Sequence, residues 1–72
     1  MNKKRRQQIQ EVIRKIESLV ENIRDDEVEA FENMPESLQM SENGIRSEDA
    51  QENLDAAIDA LEEAIYCLEA IE

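Results

Sequence analysis

The chain has 72 residues, a net charge of −11 and 38% charged residues, with no His and only one Cys, one Pro and one Gly. That length permits a single domain with a small core, while the lone Cys67 excludes an internal disulfide and, with His absent, a zinc site of the His/Cys kind. No apolar run approaches the ~18 residues of a membrane span or forms a signal-peptide core, so a cytoplasmic chain with no membrane contact is expected, stabilised by a partner chain instead of a staple.

The first element is a long helix, expected from about Lys3 to about Glu32. Residues 9–23 read IQEVIRKIESLVENI. With Ile9 as heptad position a, Ile16 and Ile23 also fall at a, Val12 and Leu19 at d, and Ile13 and Val20 at e. The phase slips after Ile23, where Asp25, Asp26 and Glu27 replace apolar sites; a local kink, or a helix that has outrun its partner, would explain it.

The corner follows in EAFENMPESLQMSENG, residues 29–44, which holds the only Phe, Pro and Gly of the chain. Pro35 cannot continue a helix and biases Met34 away from helical dihedrals. Asn33 with Glu36 three residues on matches a capping box, so a short helix over about 35–40 is expected. Gly44 is the residue best suited to a positive-φ reversal. Phe31, Met34, Leu38 and Met40 then either plug the end of the bundle or present a docking patch.

Ser47 reads as the N-cap of a second long helix, over about 47–71, with Glu48 and Asp49 in its first turn. Its repeat, LDAAIDALEEAIYCLEAI, places Leu54, Leu61 and Leu68 at a, Ala57, Ala64 and Ile71 at d, and Ile58 and Ile65 at e. Both helices therefore carry an a/d/e stripe about three sevenths of a turn wide, which suits a bundle with several neighbours better than a two-stranded seam. The expected fold is all-α: an antiparallel hairpin with a short corner helix, dimerising into a four-helix bundle. Ile9, Val12, Ile13, Ile16, Leu19, Val20, Ile23, Leu54, Ile58, Leu61, Ile65 and Leu68 form its core and dimer contacts.

Charge supports the antiparallel arrangement. Residues 1–24 hold seven basic against three acidic groups, a balance of +4, whereas the rest hold Arg46 against sixteen acids, −15. Each helix end has the wrong sign for its own dipole, and folding back sets the basic start beside Glu62, Glu63, Glu69 and Glu72. The NKKRR start could contact phosphates, but the remaining surface would repel a polyanion, so no direct nucleic-acid binding is expected. The converse is mimicry: Glu48, Asp49, Glu52, Asp55, Asp59, Glu62, Glu63 and Glu69 make a file of carboxylates that a basic nucleic-acid groove would attract.

Glu29-x-x-Glu32 and Glu52-x-x-Asp55 resemble the ExxE and ExxD pairs of all-α nucleoside-triphosphate pyrophosphatases, which would make these four a Mg²⁺ set. Four matches in a chain with 19 acids carry little weight, and the chain is read as non-enzymatic, with no catalytic, metal-binding or cofactor-binding residues and no cofactor. Cys67 falls at g beside the core, without a base or cation in its sequence neighbourhood to activate it.

The segments NKKRRQQIQEVIRKIESL, EAFENMPESLQMSENG and ENLDAAIDALEEAIYCLEAI together resemble a family of short acidic proteins encoded by phages and prophages of Gram-positive bacteria, with NMPESLQ the most distinctive part. The resemblance implies a small accessory protein made in the cytoplasm of an infected bacterium, and no catalytic residues. It implies binding to a host protein, defence factors included, to modulate or inhibit it. The residues expected to meet such a partner are Phe31, Met34, Leu38 and Met40 at the corner and Glu52, Asp55, Asp59 and Glu62 on the second helix.

Overall fold

The computed structural model describes residues 1–71. Among them it contains three helices and no strand: α1 (Lys3–Glu32), α2 (Glu36–Gln39) and α3 (Glu42–Glu69). Among the described residues no helix is long and apolar enough to cross a membrane. Asn2 starts α1 from an extended backbone, and its side chain accepts a hydrogen bond from the Lys4 amide at 2.7 Å. The helix runs unbroken through Asp25–Glu27, so the phase slip does not end it, and Glu27 still meets Ser47 of α3.

α1 ends at Asn33, whose amide donates to the Glu29 carbonyl, and Pro35 opens the next helix with φ −54°. The capping box expected from Asn33 and Glu36 does not form. Asn33 keeps helical dihedrals as the C-cap of α1, so its side chain is not placed to cap α2, which has no side-chain cap. The Gln39 amide locks the corner instead, donating to the carbonyls of Phe31 and Met34 at 3.1 Å each. The Phe31 carbonyl also accepts from the Met34 amide at 3.0 Å, so Gln39 adds a second donor there, and Met34 lies just past the helix end, where carbonyls lack helical partners.

The second long helix begins at Glu42, not at Ser47. Gly44 is helical and has no positive φ, so the reversal expected there is absent. What Gly44 provides is closeness: a Cβ built on it would lie 1.9 Å from the Gln39 carbonyl oxygen. The α2 backbone packs onto the first turn of α3 at a point only glycine leaves open. Ser41, which precedes α3, donates its hydroxyl to the Leu38 carbonyl and makes no side-chain cap.

α1 and α3 pack antiparallel as a hairpin. Moving up α1, Arg14 meets Glu69 at 3.0 Å, Arg24 meets Asp55 at 3.1 Å and Glu27 accepts from Ser47 at 2.6 Å. The partly buried row on α1 is Ile13, Glu17, Val20, Arg24, Glu27 and Phe31. Opposite it on α3 run Gly44, Ser47, Gln51, Leu54, Ile58, Leu61, Ile65 and Leu68. Both rows alternate steps of three and four, the spacing of one helix face.

The a/d/e stripe of α1 is thereby split. Its e residues, Ile13 and Val20, turn toward α3, whereas Ile9, Val12, Ile16, Leu19 and Ile23 remain exposed. Among the apolar side chains of the described residues only Ile58 and Ile65 are buried. The Cα extents, 54 × 14 × 11 Å, are those of a single layer two helices wide. Such a layer has no second side from which to close its core.

Candidate interaction surfaces

The largest candidate surface is the seam on α1. Ile9, Val12, Ile16, Leu19 and Ile23 are each between 41% and 62% exposed. They follow one another at steps of three and four, so they form a single file about 21 Å long at 1.5 Å per residue. Scattered exposed apolar residues are ordinary on protein surfaces; a continuous file of β-branched and leucine side chains marks an interaction face. On a helical wheel the a and d positions of α3 lie to the same side of the hairpin as this file. There Leu61, Ala64 and Leu68 are only partly covered.

A second surface lies at the corner, and the residues expected to meet a partner divide there. Phe31 and Met34 are half-buried, their carbonyls held by Gln39, while Leu38 is exposed and Met40 is 80% exposed. Ile45, in the first turns of α3, is also exposed. The outward apolar group of the corner is therefore Leu38, Met40 and Ile45, with Phe31 and Met34 beneath.

The third surface is acidic. Glu48, Asp49, Glu52, Asp55, Asp59, Glu62, Glu63 and Glu69 are all exposed along α3. Among the described residues two of them form ion pairs within the chain, Glu69 with Arg14 and Asp55 with Arg24. Asp55, and after it Asp25, raise the pKa of the Arg24 guanidinium above its ordinary value by accepting its hydrogen bonds. Lys3, Arg6 and Glu69 line one open hollow at the free end of the hairpin, which brings the basic start to the acidic end of α3. Glu72 lies outside the described residues.

The four carboxylates of the ExxE and ExxD pairs are not brought together. The described trio whose oxygens lie within 4.8 Å of one another is Glu17, Glu21 and Glu62, and only this kind of spacing suits a hard cation. Sequence reasoning misses that trio because it depends on the register between the helices. Register also sets the burial of Glu17 Oε2 and Gln51 Nε2, which have no hydrogen-bond partner among the described residues. Ser47, buried, donates to Glu27 in a charge-assisted bond. Cys67 is exposed, and its thiol donates to Glu63 Oε1 at 4.0 Å.

Comparisons of the chain with protein-family models, with curated proteins and with solved structures find no match.

Proposed function

We propose that this chain is a non-enzymatic interaction protein that works as a homodimeric four-helix bundle. The observation that carries the reading is the exposed seam of Ile9, Val12, Ile16, Leu19 and Ile23 on a hairpin that, among its described residues, buries two apolar side chains. A second hairpin laid on this face would give both copies the core that one layer lacks. Light scattering at micromolar concentration tests it. The wild type should have the mass of two chains and Ile16→Asp the mass of one; a well-folded wild-type monomer would overturn the dimer.

With the seam occupied by a second copy, the corner and the acidic file are the surfaces left for another molecule. The proposed role is binding and modulation or inhibition of a host protein by a phage-encoded chain, in the cytoplasm of the bacterium. The resemblance of NMPESLQ and its flanks supports that setting. Leu38→Ala with Met40→Ala should abolish capture of such a partner while leaving the dimer mass unchanged. Capture that survives the double substitution would remove the corner from the interface.

The exposed carboxylate file favours a second reading, an acidic mimic of nucleic acid that occupies a basic groove. Salt separates the two. A complex held by charge weakens steeply between low and physiological ionic strength, whereas one anchored on Leu38 and Met40 changes little.

A further inference from the structure

We infer that the second copy lies antiparallel along α1, with the two-fold axis passing close to Ile16. This inference rests on the dimeric reading above and adds the direction of pairing. The seam is bounded by opposite charges on its own heptad positions: Arg5 stands one step before Ile9, and Asp26 one step after Ile23. Arg5, Ile9, Val12, Ile16, Leu19, Ile23 and Asp26 thus follow at steps of four, three, four, three, four and three. The spacing reads almost the same from either end, and only the sign at the two tips differs.

That pattern gives the two directions very different electrostatics. In an antiparallel pair, Arg5 of each copy meets Asp26 of the other, and each apolar residue meets another across the axis. In a parallel pair, Arg5 faces Arg5 and Asp26 faces Asp26. The surroundings repeat the signal: Lys3, Lys4 and Arg6 accompany Arg5, while Asp25, Glu27 and Glu29 accompany Asp26. Arg5 and Asp26 are both exposed, and neither forms an ion pair among the described residues. Antiparallel pairing also opposes the dipoles of the two α1 helices. Lys15, close to the axis, meets its own copy in either direction and does not discriminate. The result is a rod with one hairpin corner at each end, so that two copies of the Leu38–Met40 surface point away from each other.

Distance measurements between spin labels test the direction. Single labels are placed at Gln7→Cys or Ser18→Cys, both exposed positions, in a Cys67→Ser background. At 1.5 Å per residue, antiparallel pairing separates the two position-7 labels by about 27 Å along the axis and the two position-18 labels by about 6 Å. Parallel pairing gives no axial separation at either site. The expected result is a much longer distance for position 7 than for position 18. Equal short distances in a species of dimer mass would overturn the direction and leave the dimer standing. A monomer mass with no dipolar coupling at either site would overturn the dimer itself and leave the seam to a different partner. As a second measurement, Arg5→Asp should raise the dimer Kd roughly tenfold through two lost pairs, and adding Asp26→Arg should restore it. An unchanged Kd in the single variant would also overturn the inference.

Discussion

The two halves of the hairpin are held by different physics. Toward the free end, Ile13 and Val20 pack against Ile58, Ile65 and their leucine neighbours, and almost nothing directional joins the helices beyond Arg14 and Glu69. Toward the corner the apolar row is interrupted by Arg24 and Glu27 on α1 and by Gln51, Ser47 and Gly44 on α3, before Phe31 resumes it. There Gly44 and Ser47 let the helices approach, and the contacts are hydrogen bonds: Gln39 to two carbonyls, Ser47 to Glu27, Arg24 to Asp55. Apolar packing is non-directional and would tolerate some sliding of α3 along α1; the corner bonds fix the register that the packing leaves loose. The lesson is a division of tasks, with adhesion at one end and alignment at the other.

That contrast can be broken by single substitutions. Ile65→Ala should have the largest effect, a loss of about 2–5 kcal/mol from a cavity in a core with no spare volume, read by chemical denaturation at fixed protein concentration. Gly44→Ala should follow at about 1–3 kcal/mol, because its methyl group meets the Gln39 backbone, not a side chain that could swing aside. Hydrogen exchange should show that loss first around residues 36–46, and equal acceleration along the whole hairpin would contradict the division. Gln39→Ala should cost about 1 kcal/mol through the Met34 carbonyl it leaves open and the second donor that Phe31 loses, seen as faster exchange of the corner amides. Arg14→Ala, at an exposed ion pair, should change stability by less than about 0.5 kcal/mol. A larger change would mean that the free end is aligned by charge after all.

Much of this architecture was legible in the residues. Two long helices follow from the heptads, and the +4 and −15 segments indicate their antiparallel direction, which Arg14 and Glu69 realise. The corner was less legible. A helix-interior glycine is unfavourable by about 1 kcal/mol relative to alanine, so Gly44 reads as a turn until the neighbouring α2 backbone is known. Ser47 reads as a cap for the same reason, yet its hydroxyl serves Glu27, twenty residues away. The division of the α1 stripe into inward e and outward a/d positions depends on the direction in which the hairpin closes, which no local pattern specifies. Of the candidate partner residues, Leu38 and Met40 are outward and Phe31 and Met34 are not, a distinction set by where the Gln39 amide anchors the corner.

The thinness of the molecule has a thermodynamic consequence. Both the heat-capacity increment of unfolding and the steepness of urea denaturation scale with the surface that folding hides, and a slab 54 × 14 × 11 Å hides little. Diluted below its association threshold, the chain should therefore melt over a broad temperature range with a shallow denaturant slope, and both transitions should sharpen as the concentration is raised.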